Sequence, residues 1–312
     1  MCEDEIFDSE LTISTRGEYS GTVFYHNDRF ALANNILVMK MPGLSNNQKQ
    51  FIGSIINSLP YGGYSGYPRK ETLKEDKIQL PIKNGELDYD FMESFIAELE
   101  IERVRKLESY LTTEGLKDCV LTEKEERAIK SFDEVEWEEY QMEYLFKRIK
   151  TKKLPYKAKE LPNEPTEKYI LPCLTSSFAN QGLNYYAPKE NATILKDVIS
   201  IPSNSDVYRA YFQSREFTVL SDAYAVNWIY DGKDLSKNQY LFVVPCINEV
   251  TDLPKYSYKN KLGGWNVVKN KYISLPVKNN KPDYEFMEAL ISAIKKLVMK
   301  DVVLYAERKL GA

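Results

Sequence analysis

The side chains that most often carry catalysis are scarce in this chain. Its 312 residues include a single histidine, His26. That removes most zinc sites, HExxH arrangements and His-based triads. His26 sits in Tyr25-His26-Asn27-Asp28, which reads as a strand-to-strand turn. The four cysteines, Cys2, Cys119, Cys173 and Cys246, are scattered and form no CxxC pair. That is the usage of reduced thiols in a cytoplasmic protein. There is no GxxxxGK[ST] loop and no GxGxxG fingerprint, and the run Tyr61–Tyr67 (YGGYSGY) lacks the GxSxG spacing of a nucleophile elbow. No acidic pair stands out from a solvated face. The expectation is a chain with no catalytic residue, no metal site and no cofactor of its own.

What is abundant is binding chemistry. There are 23 tyrosines, and many lie beside cations in loop-like sequence. Tyr61, Tyr64, Tyr67, Arg69 and Lys70 form one group, and Lys255, Tyr256, Tyr258, Lys259 and Lys261 form another. Tyr with Lys or Arg can hold sugar-phosphate while Asn, Gln and Arg read base edges. The same tyrosines could instead fill strand faces, and both readings stand at this point.

The net charge of −4 argues against a polyanionic ligand only on average. Residues 86–143 carry 19 Asp/Glu against 7 Lys/Arg, whereas residues 144–281 carry 21 Lys/Arg against 12 Asp/Glu. A basic region beside an acidic helical one can still bind phosphate. Two solvated faces would show the same split.

The elements that must position these side chains come in duplicate. Ile78–Glu93 (IQLPIKNGELDYDFME) and Ile273–Glu288 (ISLPVKNNKPDYEFME) align without a gap, with 10 of 16 positions identical. Chance does not produce such a match, so a unit is repeated. A weaker match joins the stretch from Ile13 (ISTRGEYSGTVFYHNDRFAL) to the stretch from Ile199 (ISIPSNSDVYRAYFQSREFTVL). Each strong copy predicts a short strand closed by Pro81 or Pro276, a turn at Lys83-Asn84-Gly85 or Lys278-Asn279-Asn280, and a helix capped by Asp88 or Asp283. The first helix is expected from about Tyr89 to Leu111 with Gly115 as its stop, and the second from about Tyr284 to Leu310. Both carry an apolar seam suited to a helix partner, and pairing with each other is the favoured arrangement. Between them, ATILKDVISIP, YRAYFQ, EFTVL, DAYAVNWIY and QYLFVVP read as strands.

These residues resemble the DNA-specificity (S) subunits of type I restriction-modification systems, of the kind related to type IIB-like specificity subunits. The carriers are LPxKN…DYxFME followed by a long helix, twice, and LTSSFANQGLNYY…NATILKDVISIPSNSDVYRAYFQSREFTVLSDAYAVNW in the second half. The resemblance covers essentially the whole chain.

It implies an α+β fold with two α/β target-recognition domains, separated by two long antiparallel helices that form a coiled-coil-like spacer. Mapped here, that gives a partial first recognition domain over 1–87, a spacer helix and connection over 88–130, a second recognition domain over 131–282 and a second spacer helix over 283–312. The implied function is sequence-specific binding of a bipartite DNA target together with docking of methyltransferase subunits. The chain itself would be non-catalytic and cytoplasmic. S-adenosylmethionine belongs to the partner methyltransferase, and ATP and Mg to the partner restriction subunit. The alternative is a truncated subunit acting mainly as a protein-interaction scaffold. DNA contacts are expected from Ser176, Ser177, Asn180, Gln181, Asn184, Ser203, Asn204, Tyr208 and Arg209, with Lys259 and Lys261 on phosphate. Arg16, Tyr19 and Arg69 are the counterparts in the first domain. One departure stands out: 62 positions separate Trp137 from Ile199, but only 12 residues precede Ile13. The first recognition domain is therefore expected to lack an N-terminal portion of about 50 residues relative to the second copy.

Overall fold

The computed structural model describes residues 6–63, 66–177, 179–203, 208–253 and 263–311. The chain divides into two compact units, Met1–Lys117 with Asp301–Ala312, and Asp118–Lys300.

Unit 1 is built on β2 (Leu11–Ser14), flanked by β3 (Val23–Tyr25) and β5 (Ile36–Met39) in an antiparallel sheet. The small strands β1 (Ile6–Phe7) and β4 (Phe30–Ala31) pair beside it. Helix α1 (Asn46–Ile56) buries Phe51, Ile52 and Ile56 with Ile13. A short helix α2 (Lys70–Glu75) and the hairpin β6 (Ile82–Lys83) and β7 (Glu86–Leu87) lead into α3 (Tyr89–Thr113).

Unit 2 opens with α4 (Glu123–Lys130), β8 (Trp137–Gln141), α5 (Met142–Leu145) and β9 (Phe146–Arg148). Next come β10 (Leu171–Leu174), β11 (Leu183–Ala187), β12 (Val198–Pro202), β13 (Tyr211–Gln213), β14 (Thr218–Val219) and β15 (Ala223–Trp228). The main sheet has the order β13-β12-β15-β9, and a second has the order β11-β10-β14. Helices α6 (Lys237–Thr251) and α7 (Trp265–Val268), then β16 (Tyr272–Lys278) and β17 (Lys281–Pro282), lead into α8 (Tyr284–Gly311). In α8, residues 301–311 group with unit 1.

The duplicated motif folds largely as its chemistry dictates. Asn84 and Gly85 have φ of +53° and +86°, and Asn279 and Asn280 have +55° and +58°. Each pair closes a two-residue hairpin, Lys83 opposite Glu86 and Lys278 opposite Lys281, the geometry that Asn-Gly favours. Asp88 accepts the Phe91 N–H at 2.9 Å, and Asp283 accepts the Phe286 N–H at 3.0 Å. Both therefore cap their helices. α3 ends where Gly115 turns to φ +65°, with Leu116 N–H bonded back to Leu111 O.

Three expectations are corrected. QYLFVVP is helix rather than strand. It lies inside α6, where a Ser236/Gln239 capping box starts the helix and Tyr240, Val243, Ile247 and Thr251 are buried on one stripe. That tertiary face overrides the β-prone composition. Pro276 does not close its strand, because β16 runs on to Lys278 with Pro276 opposite Trp137 on β8. In the first copy, Ile78–Pro81 forms no strand at all. Only the second copy has a β8 beside it among the described residues.

Candidate nucleic-acid interface

Each unit holds its long helix to the shorter helix packed on its sheet with the same set of bonds. In unit 1, Ser45 caps α1 and donates its hydroxyl to Glu93 of α3. Asn47 donates to the other Glu93 oxygen at 2.7 Å, and Gln48 donates to the Tyr89 carbonyl at 3.4 Å. In unit 2, Ser236 caps α6 and donates to Glu288, with Asn238 on the second oxygen at 2.6 Å and Gln239 on the Tyr284 carbonyl at 3.1 Å. Phe51 meets Phe91 edge-on as Phe242 meets Phe286. At the far end, Asn57 Oδ1 accepts the Val23 N–H at 3.0 Å and Asn248 Oδ1 accepts the Ala210 N–H at 2.6 Å.

That last pair fixes how the two sheets correspond. Phe24 follows Val23 and faces Thr12, and Tyr211 follows Ala210 and faces Ser200. Thr12 therefore stands where Ser200 stands, and Ile13 where Ile201 stands. Sequence matching had set Ile13 against Ile199. A two-residue slip keeps every side chain on its own face, so strand patterning cannot detect it. In this frame the lone His26 takes the place of Gln213: its Nε2 lies 2.8 Å from Thr12 Oγ1, as Gln213 Nε2 lies 3.0 Å from Ser200 Oγ.

The loops at one end of each sheet carry the polar residues. In unit 1, the segment between β2 and β3 is tied down by Ser20 Oγ donating to Gly63 O at 2.8 Å and by Gly21 packed against Tyr61. A Cβ on Gly21 would fall 2.3 Å from the Tyr61 Cβ. Tyr61 in turn donates to Asp76, and burial with that carboxylate pushes its hydroxyl up to about 12. The result is an open hollow of about 580 Å³ lined by Arg16, Tyr67, Arg69 and Lys70. In unit 2, the buried Gln213 amide donates both to Ser200 and to the Gln181 carbonyl at 3.1 Å. Gln181 is thereby tied to the main sheet.

No family model matches the chain. It is 22% identical over 301 residues to the specificity subunit S.BcgI of a type II restriction enzyme from Heyndrickxia coagulans, spanning 95% of this chain and 81% of that protein. In fold it is similar to the crystal structure of a type I restriction-modification S subunit from M. genitalium, with a TM-score of 0.52, 13% identity, and coverage of 99% of this chain and 80% of that one. This chain resembles restriction-modification specificity subunits.

The expected contact residues differ in exposure and in the partners that hold them. Arg16 and Arg69 are exposed and brought together in one hollow, and Tyr19 is exposed on the same β2–β3 loop. Asn180 and Gln181 are exposed at φ of +49° and +57°. Ser176, Ser177, Asn184 and Ser203 are half-buried, with Ser177 Oγ accepting the Ala179 N–H and Ser203 N–H bonded to Asp222 O. Tyr208 is a correction: it is fully buried, its ring packed where a Cβ on Gly263 would have to go, so it serves the core instead of the surface. Arg209 is exposed but its guanidinium is held by Asp252 at 2.6 Å. Asn204, Lys259 and Lys261, with Tyr64, Lys255, Tyr256 and Tyr258, lie outside the described residues.

Two signals in these units escaped the sequence reading. The clamp is written as LSNNQKQF (Leu44–Phe51) and LSKNQYLF (Leu235–Phe242), five of eight identical, at a slightly different offset from the main repeat. The second is a cation run, Lys147, Arg148, Lys150, Lys152 and Lys153, all exposed and, among the described residues, without an ion-paired carboxylate. Arg148 lies over the Tyr224 ring at 5.2 Å. Cys173 and Cys246 are both pushed up to about 12 by burial, which leaves them poor nucleophiles. Among the described residues, no group of three or more His, Cys, Asp or Glu side chains could hold a metal, and no helix is long and apolar enough to cross a membrane.

Proposed function

We propose that this chain is the DNA-reading subunit of a restriction-modification complex and is itself non-catalytic. Each unit reads one half of a bipartite target, and α3 and α8 pack antiparallel as the spacer between the halves. Methyltransferase subunits dock on the spacer and bring S-adenosylmethionine; restriction subunits, where present, bring ATP and Mg. The observation that carries this reading is the duplicated clamp, which twice in one chain ties a long helix to the shorter helix packed on a sheet. A helix of 25 residues spans about 37 Å at 1.5 Å per residue, close to one DNA turn of about 34–36 Å. In unit 1, Arg16, Arg69 and Lys70 supply phosphate contacts, and in unit 2 the Lys147–Lys153 run does so. The test is footprinting with the methyltransferase present. A split, sequence-dependent footprint that weakens steeply with salt supports the reading, and a footprint indifferent to sequence sinks it.

A second reading, as a protein scaffold with little DNA reading of its own, is favoured by apolar side chains left exposed on the helices: Phe91 and Phe95 on α3, Leu297 and Val298 on α8. Such surface suits a partner protein. Capture of the methyltransferase without measurable DNA affinity would select it.

A further inference from the structure

The segment that enters β11 in unit 2 ends in three successive left-handed residues. Asn180, Gln181 and Gly182 have φ of +49°, +57° and +86°. Glycine adopts that region freely, and Asn and Asp tolerate it because a short polar side chain bonds back to the local backbone. Gln181 has no such ease. Among the described residues with positive φ, it alone is not Gly, Asn, Asp or Ser. A side chain of that length on a left-handed backbone costs free energy. Such residues persist where their surroundings over-determine them, and they cluster at ligand-binding positions.

Gln213 supplies the constraint. It lies on β13 and is only 4% exposed. Its Nε2 donates to the Gln181 carbonyl at 3.1 Å and to Ser200 Oγ at 3.0 Å. A buried amide is costly unless it is paired, and this one spends a proton on holding the strained residue. Gly182 adds a second restraint. A Cβ there would fall 3.3 Å from Leu174 Cδ2 and 3.3 Å from the Ser177 carbonyl oxygen. Both restraints act on the backbone and leave the side chains at the tip free. Asn180 and Gln181 are exposed, and among the described residues neither side-chain amide has a hydrogen-bond partner.

A carboxamide sets a donor and an acceptor side by side and carries no charge. That combination matches the N6–H and N7 of adenine in the major groove, where Asn and Gln pair with both. We infer that Asn180 and Gln181 read adenine in the half-site bound by unit 2, and that Gln213 is the positioning residue that holds them from inside the sheet. The inference rests on the DNA reading proposed above and gives it a base identity. The Lys147–Lys153 cations fix the unit on phosphate, and the neutral tip supplies the sequence preference.

The test selects duplexes from a random-sequence pool on the full chain with the methyltransferase present. The wild-type chain is expected to enrich a split motif in which one half prefers adenine at one or more positions by about tenfold or more. Asn180→Ala with Gln181→Ala, an exposed change, should reduce that preference to below about threefold and leave the other half-site as it was. Placing 7-deazaadenine at the selected position removes N7 and keeps the base pair. It should weaken binding to the wild-type chain and leave the double variant unaffected. Gln213→Met keeps the volume and removes the donor. It should flatten the same positions while the salt slope and the other half-site stay unchanged, which general loosening of unit 2 would not give. A motif that survives the double variant, flattening at a base other than adenine, or an equal 7-deazaadenine effect in both chains would overturn the inference and leave DNA reading standing. A preference that survives Gln213→Met would overturn the positioning role. A wild-type chain that enriches no motif would overturn the DNA reading itself, and this inference with it.

Discussion

Glu288 accepts the hydroxyl of Ser236, the residue that caps the helix packed against its own. One serine thus serves two helices: its oxygen takes the Gln239 N–H of α6 at 3.1 Å while its proton goes to the start of α8. Glu93 and Ser45 repeat the arrangement in unit 1. The clamp fixes the start of each long helix against the start of the shorter helix packed on its sheet.

Removing the clamp should therefore cost more than a helix cap. Ser236→Ala is expected to destabilise unit 2 by about 1–2 kcal/mol for the cap alone, plus the desolvation of a Glu288 oxygen left without its donor. Glu288→Ala should cost at least as much, because Asn238 loses its acceptor too. Urea midpoints of the two single variants and the double variant give the coupling directly. Strictly additive losses would show that the two residues act independently.

Acid should loosen unit 2 through Glu125. Burial would raise this carboxyl, but bonds from Ser292 at 2.6 Å, the Thr122 N–H at 2.7 Å and Lys296 at 3.1 Å outweigh it and hold it at about 2. A depressed folded value means the stabilisation is complete above the ordinary 4.5 and disappears as pH falls toward 2. Glu125→Gln should flatten that part of the stability profile. Glu125→Ala should cost about 1–3 kcal/mol at neutral pH by leaving the Ser292 hydroxyl and the Thr122 N–H without their acceptor, while Lys296 keeps Asp118 at 2.8 Å. An unchanged acid profile in the Gln variant would remove Glu125 as the cause.

The sequence exposed this design unevenly. Asp88, Asp283, the two Asn-centred turns and both long helices were legible because caps, turns and helical stripes are local signals. On α3, Val104 is buried, whereas Phe91 and Phe95 are exposed. Periodicity marks an apolar face without saying which part of it finds a partner. The LSxNQ clamp was missed because its function is long-range: Ser45 meets Glu93 only after the chain has folded back 48 residues. Tyr208 was misplaced because a tyrosine among polar loop residues reads as a contact, and only the bare Gly263 surface shows that its ring has somewhere to go.

In the basic hollow of unit 1, Arg16→Gln and Arg69→Gln should each weaken DNA binding on all sequences alike and reduce the log–log salt slope by about 1. The same should hold for Lys150→Gln and Lys152→Gln in unit 2. Tyr208→Ala makes the contrast: it should cost roughly 3–5 kcal/mol of stability as a core deletion. Filter-binding across a salt series with target and scrambled duplexes separates these outcomes. A salt slope untouched by the arginine changes would remove the hollow from the interface.

If α3 and α8 set the distance between half-sites, lengthening them must change the site. Inserting four residues of helix-forming sequence into each adds about 6 Å. DNA rises about 3.4 Å per base pair, so the preferred spacer should grow by about two base pairs while both half-sites stay the same. The insertion belongs in the solvent-facing middle of each helix, away from the Glu93 and Glu288 clamps and from Glu100, which takes Lys309 at 2.7 Å and Tyr305 at 3.2 Å. Lengthening α3 alone should instead weaken binding at every spacer, since one strut then outgrows the other. Methylation-protected site selection on a randomised spacer library reads both cases. An unchanged spacer in the doubly lengthened chain would mean that something other than these helices measures the distance.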